Sequence, residues 1–196
     1  NDSTIVTLYR LVASPEQDIG RDGRGAVTFY LGSRAGLVRP PERIFVGENS
    51  NNRFGTSVIL ADLDGDMTKD LIVSAPNATN PFMTATCNGA GRVYVYQGMA
   101  GTRGLFVTVP WQVIEMKDRL DDMDGIPQCR AASDVGRAMA LFDIDNDRFV
   151  DLLVGAPGTQ TGNTGSVLVY RGGMGGAFEA TPAWTIKLET ALRTGN

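Results

Sequence analysis

Apolar and polar residues alternate along several short runs of the chain, and a period of two is typical of half-buried β-strands. The clearest runs are VYVY at residues 93–96 and VLVY at residues 167–170. Turns rich in glycine separate the runs, and no segment shows the 3.6-residue period of an amphipathic helix. The pattern therefore predicts an all-β fold.

Two stretches of the chain carry the same motif in the same register. Residues 54–76 read FGTSVILADLDGDMTKDLIVSAP, and residues 135–157 read VGRAMALFDIDNDRFVDLLVGAP. A further run follows each copy, GRVYVYQG at 91–98 and GSVLVYRG at 165–172, and an earlier relative reads GAVTFYLG at 25–32. This in-register repetition indicates a repeat architecture rather than a β-sandwich of unrelated hairpins.

A last apolar run closes each unit. These runs are ERIFV at 42–46, WQVIEM at 111–116 and WTIKL at 184–188. Each full unit therefore reads strand, acidic loop, strand, loop, strand, turn, strand. Four short antiparallel strands repeated in this way predict the blades of a β-propeller.

In these motifs the chain resembles the FG-GAP repeat family, the repeat of integrin alpha-subunit propellers. Residues 54–55 match the FG element and residues 155–157 match the GAP element. Val135 replaces the phenylalanine of FG in the later copy, and Ser74 replaces the glycine of GAP in the earlier one. The resemblance implies about two and a half repeats of a larger propeller, which in this family closes with about seven blades.

The repeats divide the chain into four segments. Residues 1–46 are expected to form the later strands of a partial blade, residues 47–116 and 117–188 two full blades, and residues 189–196 the start of the connection to the next blade. Part of a propeller leaves exposed sheet edges. We therefore expect the chain to belong to a longer protein, or to an assembly that covers those edges.

The loops rich in aspartate have the composition of a cation site. In each loop, three alternating carboxylates can converge on one point, a backbone carbonyl adds an oxygen, and a fourth carboxylate closes the ring. The predicted ligands are Asp62, Asp64, Asp66, the carbonyl of Thr68 and Asp70 in the first acidic loop (62–70), and Asp143, Asp145, Asp147, the carbonyl of Phe149 and Asp151 in the second acidic loop (143–151). Four crowded carboxylates repel one another without a cation, and a flexible ring of oxygen ligands suits Ca²⁺ better than Mg²⁺. The sequence therefore predicts two Ca²⁺ sites.

The loops allow two other interpretations. An EF-hand requires a glutamate at its twelfth position, where this chain has Val73 and Val154. A solvated acidic turn without an ion is the second alternative. The family usually has glycine at the sixth position, where this chain has Met67 and Arg148, and a left-handed backbone there is destabilising by about 1 kcal/mol per residue.

The resemblance also implies where the two cysteines lie. In such a propeller, Cys87 lies between two strands of one blade and Cys129 lies in the connection to the next, on the rim opposite the acidic loops. A Cys87–Cys129 disulfide is therefore expected, which implies an oxidising compartment; two free thiols in a cytosolic protein are the alternative. Asn77 and Asn1 begin the glycosylation sequons NAT and NDS, which agree with secretion.

The composition argues against several functions. The chain has no histidine, which removes Ser–His and Cys–His nucleophilic sites. Its net charge is −4 without a basic stripe, which argues against nucleic-acid binding. No apolar stretch approaches the roughly 18 residues of a transmembrane helix. We therefore expect a chain that is not an enzyme, binds no nucleic acid and does not itself span a membrane.

Together with the resemblance, these features predict an extracellular or cell-surface propeller segment, stabilised by calcium, that acts in cell adhesion, ligand recognition or extracellular assembly. Protein partners are expected to bind the rim that carries the loops at 77–90 and 117–134, or the blade edges. Two alternatives are the non-catalytic propeller domain of a secreted hydrolase, as some secreted phospholipases of this resemblance carry, and a structural subunit of a surface appendage.

Overall fold

The structure is a computed structural model that describes residues 9–15, 23–33, 36–78, 91–100, 105–115, 135–157 and 165–187. Within these ranges the chain forms twelve β-strands and one short 3₁₀ turn, at Met174–Gly176, and no α-helix. The strands are β1 (Tyr9–Ser14), β2 (Ala26–Ser33), β3 (Gly36–Leu37), β4 (Arg43–Val46), β5 (Val58–Ala61), β6 (Asp70–Ala75), β7 (Arg92–Tyr96), β8 (Gln112–Glu115), β9 (Met139–Phe142), β10 (Asp151–Ala156), β11 (Ser166–Tyr170) and β12 (Trp184–Lys187). The all-β prediction is confirmed. No helix in the described part of the chain has the length and apolar character needed to cross a membrane.

The strands form three antiparallel sheets, which we call sheet 1 (β1–β4), sheet 2 (β5–β8) and sheet 3 (β9–β12). In sheets 2 and 3 the strands lie side by side in chain order, as in a propeller blade. In sheet 1 both β3 and β4 pair with β2, and the described residues provide no counterpart of β5 or β9. Sheet 1 thus has the later strands of a blade. The boundaries of the four segments drawn from the sequence stay predictions.

The sheets stack face to face, so that sheet 2 is buried on both sides. In β7, Val93 and Val95 belong to the core shared with sheet 3, and Tyr94 and Tyr96 belong to the core shared with sheet 1. All five residues of β7 are buried. The interpretation of the VYVY run as a half-buried strand is therefore wrong, because the alternation separates two apolar cores instead of a core and solvent.

The FG and GAP motifs hold the first two strands of a blade together. The N–H of Gly55 donates to the carbonyl of Ser74 at 2.9 Å, and in the later copy the N–H of Gly136 donates to the carbonyl of Gly155 at 3.0 Å. The side chain of Phe54 is buried in the core between sheets 1 and 2. The motif thereby fixes the start of one blade against the preceding one.

Gly91 lies where two successive blades come close together. It directly precedes β7 of sheet 2, and its φ is +86°. A Cβ at this position would lie 2.6 Å from the carbonyl oxygen of Val135, in the segment that leads into sheet 3. Both the backbone conformation and the close approach therefore require glycine.

Gly91→Ala is expected to reduce the free energy of unfolding by about 2–4 kcal/mol, since it combines left-handed strain with a steric clash. Gly65→Ala is the matched control, because Gly65 has a similar φ of +81° but no atom within 4 Å of the added Cβ. The control is expected to lose only about 1–2 kcal/mol. Urea denaturation in the presence of chelator measures both losses, and equal losses would contradict the close contact between the blades.

Candidate metal sites

The two acidic loops occupy the same place in successive sheets. The first joins β5 to β6, and the second joins β9 to β10. In each loop, three aspartates bring carboxylate oxygens within 4.8 Å of one another; the groups are Asp62, Asp64 and Asp70, and Asp143, Asp145 and Asp151. The structure therefore brings together three of the four carboxylates predicted for each site.

The other predicted ligands lie on the same loops but outside these groups. Asp66 accepts a hydrogen bond at Oδ1 from the N–H of Thr68 at 2.6 Å. Asp147 accepts one at Oδ1 from the N–H of Phe149 at 2.8 Å. The ligand roles of these two carboxylates, and of the carbonyls of Thr68 and Phe149, stay predictions.

The first aspartate of each loop shapes the turn through its side chain. Asp62 accepts hydrogen bonds from the N–H groups of Gly65 at 2.8 Å and Met67 at 2.9 Å. In the second loop, Asp143 accepts one from the N–H of Arg148 at 3.0 Å. Such bonds from backbone to aspartate stabilise tight turns. The carboxylates therefore hold the loop in shape as well as supplying oxygens.

Asp70 closes the first loop from a buried position. Its relative exposure is 4%, and its two oxygens accept hydrogen bonds from the N–H groups of Leu63 and Gly98, both at 2.9 Å. Burial raises the pKa of the Asp70 carboxyl; the two backbone donors oppose this, and the charges of Asp64 and Asp66 add to it. A bound cation would offset both the cost of burying the Asp70 charge and its repulsion by Asp64 and Asp66.

Asp151 repeats this arrangement in the second loop. Its carboxylate is fully buried and accepts hydrogen bonds from the N–H groups of Ile144 at 2.9 Å and Gly172 at 3.0 Å. The sequence predicts Asp70 and Asp151 at the closing position but does not reveal their bonds from the residues just after the third strands. The available signal was the glycine that ends both third runs, Gly98 and Gly172.

The donor set of each loop fits a Ca²⁺ ion. All the side chains that converge are carboxylates, and hard oxygen ligands on a turn are the coordination that Ca²⁺ prefers. One carboxylate in each group is buried, so a positive charge at that point would replace lost hydration.

A cationic side chain lies next to the second loop. Nε of Arg171 is 3.0 Å from Oδ2 of Asp145 in an ion pair, and the guanidinium carbon lies 4.7 Å from the ring centroid of Trp184. The residue at the same place beside the first loop is Gln97, which is neutral. Arg171 is not recognisable from the sequence alone, because nothing in the run VLVYRG shows which carboxylate its side chain reaches.

The sixth position of each loop is left-handed, as the glycine usual in the family implies. The φ of Met67 is +66°, and the φ of Arg148 is +78°. The side chain of Met67 is 93% exposed, so it makes little packing contact that could offset the backbone strain.

Met67→Gly is therefore expected to stabilise the fold by about 0.5–1 kcal/mol, because relief of left-handed strain outweighs the entropy that glycine adds to the unfolded chain. Met174→Gly is the control, since Met174 is also highly exposed but lies outside the left-handed region. It is expected to lose about 0.5–1 kcal/mol. Urea denaturation compares them, and equal destabilisation would show that strain at Met67 is unimportant.

Several other predicted features fall outside the described residues. They are Cys87, Cys129, Asn1 and the loop residues 79–90 and 117–134. Asn77 is described: it follows β6, is partly buried, and donates its N–H to the carbonyl of Asn52 at 3.3 Å. Glycosylation at Asn77 stays a prediction.

Comparison with known families identifies the repeat. The profile of the family described as FG-GAP repeat matches residues 54–96 and 135–170. These ranges contain both acidic loops, together with the strands on either side of each loop and the third strands of sheets 2 and 3. The family match therefore covers both candidate metal sites.

The chain is also similar to several known proteins. Integrin alpha-4 of Xenopus laevis is 33% identical over 145 residues, which is 73% of this chain and 12% of the relative. Integrin alpha-6 of Homo sapiens is 30% identical over 139 residues, 69% of this chain and 10% of the relative. Phosphatidylinositol-glycan-specific phospholipase D of Rattus norvegicus is 32% identical over 137 residues, 68% of this chain and 15% of the relative. The chain thus spans only a small part of the length of these relatives.

Proposed function

Because the chain belongs to the FG-GAP repeat family of integrin-like β-propellers, we propose that it is an extracellular calcium-binding propeller segment that acts in cell adhesion, ligand recognition or extracellular assembly. The observation that carries this proposal is the convergence of three carboxylates at the same place in two successive blades. The similarity to two integrin alpha subunits supports a role at the cell surface.

In this proposal calcium has a structural role. The ion supplies positive charge that neutralises the crowded aspartates. The residues of the chain do the rest: Asp62 shapes the turn, and Asp70 ties the loop to the third strand through Gly98. A catalytic metal would need an acid–base partner or nucleophile beside it. We propose none, and the histidine-free sequence supports a segment that is not itself an enzyme.

Millimolar calcium is expected to raise the melting temperature relative to chelator by about 5–10 °C, and by more than magnesium does. A site held at a hundred times its dissociation constant stabilises the fold by about 2.7 kcal/mol, and about 1 kcal/mol shifts the melting temperature of a chain this size by roughly 2–4 °C. Asp64→Ala combined with Asp145→Ala is expected to remove the calcium effect while changing the melting temperature in chelator little. Differential scanning calorimetry measures both.

The matched control removes two carboxylates outside the loops, Glu42→Ala with Glu179→Ala, both on exposed residues. This variant is expected to keep the full response to calcium. A wild-type chain that melts identically in calcium and in chelator would overturn the metal role.

One face of sheet 3 is exposed, although the residues at the matching positions of sheet 2 are buried. Ile114 of sheet 2 is 1% exposed, whereas its counterpart Ile186 is 57% exposed. Leu63 is 7% exposed and its counterpart Ile144 is 36% exposed, and Phe142 on the same face is 66% exposed. We propose that a further blade of the same kind covers this face, because the matching face of sheet 2 is covered by a blade.

The isolated chain is therefore expected to self-associate through this apolar face as its concentration rises. Phe142→Asp with Ile186→Asp is expected to reduce the association, measured by light scattering. Met67→Asp with Met174→Asp adds the same charge on highly exposed side chains elsewhere and is expected to have no such effect. Equal effects of the two variants would show that net charge, not the face, governs association.

An extracellular location also fits the cysteines and sequons. We propose a Cys87–Cys129 disulfide and sugars at Asn77 and Asn1, with protein partners on the rim that carries the loops at 77–90 and 117–134. Oxidising conditions permit the disulfide, and the secretory route permits the sugars.

A second candidate function is the non-catalytic propeller domain of a secreted hydrolase. The similarity to phosphatidylinositol-glycan-specific phospholipase D favours it. The two candidates differ in what accompanies the segment. A cluster of histidines and aspartates able to bind catalytic metal, elsewhere in a longer chain, would favour the hydrolase.

A further inference from the structure

The two acidic loops differ in one charged neighbour. Arg171 follows β11 and forms an ion pair with Asp145, a carboxylate of the second loop, at 3.0 Å. The guanidinium also lies over the ring of Trp184 at the start of β12. Arg171 is therefore held between a candidate calcium ligand and an aromatic ring.

The first loop lacks this arrangement at the matching positions. Gln97 follows β7 where Arg171 follows β11. Trp184 pairs with Val169, and in sheet 2 the residue that pairs with Val95 is Gln112. Gln112 exchanges two hydrogen bonds with the backbone of Phe178 in sheet 3, at 2.6 and 3.0 Å. The positions of Arg171 and of the ring beneath it, Trp184, are thus both occupied by neutral glutamines in sheet 2.

The charged residues within the two loops are equal in number. Each loop contains one basic residue of its own, Lys69 in the first and Arg148 in the second. The number of aspartates is also the same in the two loops. The ion pair between Arg171 and Asp145 is a difference in charge between the two loops that lies outside the loops themselves.

We propose that Arg171 weakens calcium binding at the second loop, so that the two sites fill in sequence as calcium rises, the first loop before the second. This inference rests on the proposed calcium binding. Calcium at the second loop must either displace the guanidinium from Asp145 or bind beside a positive charge. Both lower the affinity, by an amount comparable to that of a partly exposed ion pair.

The experiment measures the calcium dissociation constant of each site separately by isothermal titration calorimetry. Asp64→Asn disables the first loop and leaves the second, and Asp145→Asn does the reverse. In the Asp64→Asn background, Arg171→Gln is expected to lower the dissociation constant of the second site about fivefold. Arg171→Lys keeps the charge and is expected to recover most of the weak binding.

The reciprocal exchange tests the same idea at the other site. In the Asp145→Asn background, Gln97→Arg is expected to raise the dissociation constant of the first site about fivefold, while Arg171→Gln leaves it unchanged. Both differences are expected to shrink as salt is raised, because salt screens exposed charges. A simple change in loop packing would not follow the salt concentration. Melting temperatures in chelator confirm that each variant folds.

The outcomes separate the two proposals. If neither background binds calcium although both fold, the proposed calcium function fails. If both bind but Arg171→Gln leaves the second site unchanged at low salt, the inference about Arg171 is overturned while calcium binding stands. If Arg171→Gln strengthens the second site and Gln97→Arg weakens the first, the sequential filling is supported.

Discussion

The face-to-face stacking of the sheets is the constraint on which the rest of the structure depends. Sheet 2 packs against a neighbouring sheet on each face, so its central strands, β6 and β7, are buried at every position rather than at alternate ones. Because burying apolar area is the main stabilising contribution to folding, each blade is stabilised chiefly by its neighbours. The FG motif serves this stacking directly, since Phe54 enters the core that sheet 2 shares with sheet 1.

The acidic loops lie at one end of sheets 2 and 3, between the first and second strands. Asp70 and Asp151 are buried there, yet each carboxylate accepts two backbone hydrogen bonds. One bond of each pair comes from within the loop and the other from Gly98 or Gly172, just after the third strand, so the loop geometry is set by the sheet as well as by the loop sequence. Two hydrogen bonds only partly offset the loss of water around a buried carboxylate with charged neighbours. The sheet therefore fixes negative charge at the point where the three carboxylates of each loop converge.

Much of this arrangement could be predicted from the sequence because its signals are local. The alternation in VYVY and VLVY located β7 and β11, and the repeated aspartates located both loops. What the sequence did not reveal depends on contacts between distant segments. The second buried face of β7 comes from a neighbouring sheet, the bonds from Gly98 and Gly172 cross to another strand, and the ion pair of Arg171 joins two separate runs.

An internal repeat makes such contacts easier to interpret, because each blade is a reference for the other. Matching positions share backbone geometry, so a difference in side chain isolates one physical effect. Ile114 and Ile186 have the same identity and differ only in what covers them. Gln97 and Arg171 have the same place beside a loop and differ in charge. Features present in both blades, such as the buried closing aspartate, belong to the architecture of the repeat. Features present in only one blade, such as the ion pair of Arg171, distinguish the two blades of this chain from each other.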